Sequence, residues 1–106
     1  MELTDGARAR MDVSNAPNGL VVELAGELDL ASLPAVAVPL DELLSSSPQP
    51  VVLELGELAF LDSSGVAVLV RIANHFDQVR TRSATEPVRR VIEVLGLAAR
   101  LGLEKT

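Results

Sequence analysis

The chain has 106 residues, 48% of them hydrophobic and 2% aromatic, and a formal net charge of −6. This is the length of one domain with one core, which Leu, Val and Ala must build. The lack of cysteine excludes disulfides and thiolate or cysteine–zinc chemistry, the scarcity of aromatics leaves no stacking platform for single-stranded nucleic acid, and the acidic balance argues against binding a phosphate backbone.

Residues 1–6 read as a flexible tail, and one domain is expected over 7–103. From Ala7, small or apolar residues (Ala7, Ala9, Met11, Val13) alternate with Arg8, Arg10, Asp12 and Ser14, the period of a strand with one buried face. Asn15-Ala16-Pro17-Asn18-Gly19 is a cluster of turn formers and predicts a hairpin. Its second strand is Leu20–Ala25, ending through Gly26-Glu27-Leu28-Asp29-Leu30. A helix is expected to start near Ser32, with Ser32 capping its free amides and Pro34 in the first turn. Leu33, Val36, Ala37, Leu40, Leu43 and Leu44 form its apolar stripe. Pro39 removes an amide donor inside that stripe, which predicts a kink or a late start. Ser45–Pro50 ends the helix and connects onward.

Val51-Val52-Leu53-Glu54-Leu55 is a nearly continuous apolar run. It suits a strand covered on both faces or one at the centre of a sheet. Gly56–Leu61 continues it as a short irregular strand toward a turn, Asp62-Ser63-Ser64-Gly65. The next helix spans about Ser63 to Phe76. It is apolar nearly all round at its start, so either both sides are buried or part of it is a patch for a partner. Gln78–Ala84 alternates and predicts a last strand. Thr85 as a cap, Pro87 in the first turn, an apolar stripe of Val88, Val91, Ile92 and Leu95, and Gly96 as a left-handed stop predict a final helix. Leu97–Leu103 is expected to pack back on the core.

These elements predict an α/β fold: a single domain with a mainly parallel sheet, an antiparallel N-terminal strand pair and three main helices. Loops after parallel strands gather at one end of such a sheet, where sites lie. Asp29 and Asp62 are therefore expected to be neighbours. No apolar run approaches the ~20 residues of a bilayer span, and the first twelve residues lack signal-peptide order. A cytoplasmic protein without a membrane span is the expectation.

The Asp62–Gly65 turn is poor in catalytic partners. The only histidine, His75, would lie about 16 Å further along the same helix, out of reach of Ser64 as a base. Two aspartates make a thin metal site, and no Gly-rich phosphate cradle with a lysine is present. No enzyme activity, metal or cofactor is expected. A phosphoacceptor needs less, because a kinase brings the nucleotide, the metal and the base. A phosphoserine would be favoured by the helix dipole and opposed by Asp62 and Asp29. Plain helix capping by both serines stands beside this reading.

Three stretches settle the weighting. Val22-Glu23-Leu24-Ala25-Gly26-Glu27-Leu28-Asp29, Phe60-Leu61-Asp62-Ser63-Ser64-Gly65-Val66 and Pro87-Val88-Arg89-Arg90-Val91-Ile92-Glu93-Val94-Leu95-Gly96-Leu97 are together similar to the STAS domain family. Within it, the chain resembles the bacterial anti-sigma factor antagonists. The resemblance spans about residues 10–100. It implies partner switching in stress-response transcription. The unphosphorylated antagonist binds an anti-sigma factor with serine kinase activity and frees a sigma factor, phosphorylation ends that binding, and a serine phosphatase restores it. By position the resemblance implies Ser64 as the phosphoserine, with Asp29, Asp62 and Ser63 lining the same surface. Gly65, Val68 and Arg71 extend the expected partner surface along the helix. A monomer without direct nucleic-acid contact is expected. The alternative is a STAS module with another partner, as a stress-signalling scaffold or an accessory subunit of a membrane transporter. Pro39, the short join at His75–Gln78, the polar last strand and the short C-terminus depart from the family pattern.

Overall fold

The computed structural model describes residues 8–104. The expected tail at 1–6 and the strand start at Ala7 lie outside them. Four strands, β1 (Arg10–Ala16), β2 (Gly19–Leu28), β3 (Pro50–Leu61) and β4 (Gln78–Arg82), and three helices, α1 (Leu33–Leu44), α2 (Ser63–His75) and α3 (Glu86–Val94), form one α/β unit. The sheet order is β1-β2-β3-β4. β1 is antiparallel to β2, and the β2–β3 and β3–β4 pairs are parallel. This is the predicted architecture.

The hairpin closes on the Ala16–Gly19 pair, leaving Pro17-Asn18 as a two-residue loop. On β1, Ala9 and Met11 point inward as the alternation predicts, whereas Val13 is 43% exposed at the sheet's edge. On β2 and β3, Leu20, Val22 and Leu24, and Val51, Leu53 and Leu55, are buried, while Val21, Glu23, Val52 and Glu54 between them are half-buried. The sheet is thus covered on one face only. β3 takes its apolar run from its central place, not from cover on both faces. It continues unbroken to Leu61, absorbing two register shifts against β2.

One apolar cluster joins that inner face to Val36, Leu40 and Leu43 of α1, Val66, Val68, Leu69 and Ile72 of α2, and Val88 and Ile92 of α3. Each fully buried Leu or Ile in it contributes about 1.5–3 kcal/mol of transfer free energy.

One expectation about α1 is corrected and another is narrowed. Ser32 does not cap it through its side chain. Its hydroxyl instead donates to the Glu27 carbonyl at 2.6 Å and belongs to a 3-10 turn, Leu30–Ser32, that precedes the helix. Nor does Pro39 delay the start, since α1 begins at Leu33 and runs through it. The carbonyl that loses its donor belongs to Ala35, which is exposed, so water can take the place of the amide.

At the far edge, Thr81 is the one buried polar residue among the described residues, and its hydroxyl donates to the Leu101 carbonyl at 2.8 Å. The C-terminal segment pairs with Thr81 through Gly102 and Glu104 and covers the outer side of β4, which is why so polar a strand is stable there. α3 ends as predicted, with Gly96 at φ +73° and the Leu97 amide on the Ile92 carbonyl at 3.0 Å. Thr85 stands at its N-cap position without a side-chain cap. Its hydroxyl donates to the Leu58 carbonyl instead, tying α3 to β3.

The open face of the sheet carries charge. Arg82 donates to Glu54 at 2.8 Å across the β3–β4 pair where the two are register partners. The Ser83 hydroxyl and Arg82 together hold the Glu54 carboxyl below the usual range. A depressed carboxyl stabilises the fold above its unfolded pKa, and that contribution is lost as pH falls through the folded value. Glu54→Gln is therefore expected to lower stability near pH 7 by up to about 1 kcal/mol. The difference from the unsubstituted protein should narrow at acid pH, as the depressed carboxyl takes up its proton. Urea midpoints at neutral and at acid pH check it; an equal gap at both would contradict the pairing.

Candidate functional site

β2 and β3 run side by side and end together, with Leu28 opposite Leu61. The chain leaves both strands at the same end of the sheet, and the two turns that follow are tied to each other. The Asp62 amide donates to the Leu28 carbonyl at 3.3 Å. The Asp62 carboxylate then serves both turns. Oδ1 accepts from the amides of Ser64 at 2.8 Å and Gly65 at 3.1 Å, and Oδ2 accepts from the amide of Leu30 at 3.3 Å. The predicted neighbourhood of Asp29 and Asp62 is borne out by this shared bond, since Leu30 follows Asp29 directly.

Asp62 is the N-cap of α2, with an extended backbone at φ −107°. Its carbonyl also accepts the Val66 amide at 2.9 Å. The free amides of the helix terminus are therefore already engaged by a carboxylate. A phosphate on Ser64 would find the amides of Ser64 and Gly65 already bonded to a carboxylate, so Asp62 opposes it while the helix dipole favours it. Asp29 caps the 3-10 turn reciprocally. Its Oδ1 accepts the Ser32 amide at 3.0 Å, and the Ser32 hydroxyl accepts the Asp29 amide at 3.0 Å. This capping box satisfies two backbone amides of the turn reciprocally.

Gly65 is buried where α2 meets the end of β2. A Cβ built there would stand 2.3 Å from the Leu28 carbonyl oxygen and 2.7 Å from Leu61 Cδ1. Only a residue without a side chain lets the helix start this close to the strand. The glycine of the turn thus sets the backbone that presents the serines, and it offers no side chain to a partner.

Ser63 is exposed and Ser64 is half-buried. Asp62 bonds the amide of Ser64 and not its hydroxyl, which leaves the hydroxyl available to chemistry. Beyond the turn, the exposed residues of α2 are Ser63, Ala67, Arg71 and Asn74, spaced three and four apart and hence one strip. Arg71 lies on that strip, where a partner can reach it. Val68 does not: it is 5% exposed and packs against α1, lining a crevice with Leu33, Val36 and Leu40. As a direct partner contact Val68 is a correction. α2 is buried on two sides, one against the sheet and one against α1, so of the two readings left open for its apolar start the buried one holds.

His75 closes the far end of α2. Its Nε2 donates to the Ser46 carbonyl at 2.7 Å, and its ring stands edge-on to Phe76 with centroids 4.7 Å apart. It fastens the helix end and is not near Ser64.

Two residues of the site escaped sequence reasoning. Leu30 is 70% exposed and Phe60 47% exposed, on the two segments that meet at Asp62. Leu30 continues the alternation of β2 and also falls in line with the stripe of α1, so both periods mark it as buried. No signal in the sequence could have found it. Phe60 follows from the pleat, since its neighbour Leu61 points inward.

A family model described as "Mlab, STAS domain" matches residues 11–104. No curated protein sequence matches the chain. Among solved structures, an anti-sigma factor antagonist from Mycobacterium paratuberculosis is similar over 98% of this chain and 92% of its own, at 25% identity and a TM-score of 0.79. The anti-sigma factor antagonist SpoIIAA in its unphosphorylated form is similar over 91% of this chain and 89% of its own, at a TM-score of 0.67; with 19% identity, that likeness is one of fold.

Proposed function

This chain belongs to the STAS domain family, and we propose that it is an anti-sigma factor antagonist switched by phosphorylation of Ser64. In its unphosphorylated form it binds, in the cytoplasm, an anti-sigma factor that is also a serine kinase, and so releases a sigma factor. The observation that carries this reading is the turn itself: a serine hydroxyl free of the capping bonds, at the end of the sheet, beside a carboxylate whose oxygens are taken up by backbone amides. Such a hydroxyl is a substrate for a kinase rather than a nucleophile of its own.

The transfer forms a bond between Ser64 Oγ and the γ-phosphorus of ATP and breaks the bond from that phosphorus to the bridging oxygen. ADP leaves, and the serine proton goes to a base of the kinase. The product carries about −1.5 to −2 charges next to Asp62. A phosphatase returns the hydroxyl by hydrolysis. Asp29 and Ser63 at the two turns, with Arg71 further along the exposed strip of α2, complete the proposed partner surface, and Asp62 and Gly65 hold its shape.

The test is capture of the cognate anti-sigma factor kinase in the presence of ATP. Ser64→Ala protein is expected to retain the kinase, whereas the unsubstituted protein captures it and then releases it as phosphate accumulates. Equal retention by both proteins, or binding by neither, contradicts the switch.

A further inference from the structure

The bond between Asp62 and the Leu30 amide joins the serine turn to the 3-10 turn Leu30–Ser32. Leu30 is the second most exposed large apolar side chain of the described residues, after Val94. Its exposure is enforced. The Asp29–Ser32 capping box fixes the turn on either side of it, and Asp62 Oδ2 holds its amide at 3.3 Å. A leucine held rigidly in water beside a recognition site is pre-organised to enter a partner's recess, because its ordering precedes binding. The same carboxylate holds the Ser64 amide at 2.8 Å through its other oxygen.

We propose that Asp62 is the positioning residue that couples the state of Ser64 to Leu30, and that Leu30 is the apolar contact the anti-sigma factor accepts. This rests on the functional reading above and deepens it. A phosphate on Ser64 repels the Asp62 carboxylate. The longer of the two ties, that to Leu30, is the one that yields, and the apolar contact loses its fixed place. Phosphorylation then weakens binding twice, by charge at the turn and by releasing the leucine.

The chemistry of the carboxylate supplies the test. An aspartate has two acceptor oxygens, whereas an asparagine has one acceptor and one donor. Asp62→Asn keeps a good N-cap for α2 and cannot also accept from Leu30. Amide hydrogen exchange read by NMR should then rise about tenfold or more at Leu30 and stay unchanged at Ser64 and Gly65. A merely structural role would move all three amides together, and that result, or no change at Leu30, overturns the coupling. Ser64→Glu is expected to raise exchange at Leu30 relative to Ser64→Ala; equal exchange also overturns it.

The contact is tested by titration against the cognate kinase. Leu30→Ala should weaken affinity by about tenfold or more with an unchanged melting temperature. Val94→Ala, which alters an exposed apolar residue on α3, should stay within about twofold of the unsubstituted protein. If Leu30→Ala also stays within that range, Leu30 is not the contact and the functional reading is untouched. If the unsubstituted protein does not bind the kinase, the functional reading fails and Leu30 has no such role. The exchange measurements need no partner and decide the coupling in either case.

Discussion

Gly65→Ala is expected to cost about 3 kcal/mol of folding stability, near the upper end for overpacking a close-packed contact. The added methyl would stand 2.3 Å from the Leu28 carbonyl oxygen. That atom cannot swing aside, because Leu28 is fully buried in β2 and the same carbonyl accepts the Asp62 amide. Relief requires α2 to move off the strand end, which strains the Asp62 cap and the packing of Val66 and Leu69 at once. Helix propensity works the other way, since alanine is preferred to glycine in a helix by about 1 kcal/mol, and it is the smaller effect. Urea unfolding measures the difference. A substitution that is neutral or stabilising would mean that the helix start is not set by this contact. Ser63→Ala, at an exposed position of the same turn, provides the comparison and should change stability by less than about 0.5 kcal/mol.

Ser64→Glu is expected to weaken binding to the anti-sigma factor by about a hundredfold, equivalent to about 3 kcal/mol, while leaving the fold intact. The new carboxylate lies one residue into α2, where a negative charge is favourable to the helix. It also lies beside Asp62, whose oxygens already hold the amides of Ser64 and Gly65, so it finds no free donors there and stays in water. The partner must then bury a charge facing another charge, and like charges brought together in an interface cost several kcal/mol. Calorimetric titration of the unsubstituted, Ser64→Ala and Ser64→Glu proteins separates charge from the loss of a hydroxyl. Ser64→Ala should bind about as well as serine does. Equal weakening by both substitutions would show that the hydroxyl is a binding group and not a gate.

Much of this architecture is legible in the residues. Alternation at Leu20, Val22 and Leu24 marks β2, and Thr85, Pro87 and Gly96 bracket α3. The order of strands and helices brings the ends of β2 and β3 together, and with them Asp29 and Asp62. What the sequence hides are relations between elements. Val68 is buried because α1 lies along α2, and helical period alone cannot tell a partner's face from a neighbouring helix. Leu30 is exposed because two carboxylates and a hydroxyl hold its turn outward, against the apolar period it belongs to. Ser32 and Thr85 both read as caps, yet each hydroxyl bonds a carbonyl of another segment, Glu27 and Leu58 respectively. Side-chain hydroxyls take whatever acceptor the packing brings within reach, and that is decided after the elements form. Pro39 stays inside α1, where the carbonyl it orphans belongs to an exposed residue, Ala35.

The central claim is that Ser64 is the hydroxyl that receives phosphate. The most direct measurement is peptide mapping by mass spectrometry after incubating the protein with its cognate anti-sigma factor kinase and ATP. A single phosphate on Ser64, with none on the more exposed Ser63, is the expected result, since the proposed site rests on the place of Ser64 in the family's turn motif. Phosphate on Ser63 alone, or none on either serine from a kinase that binds the protein, would contradict it.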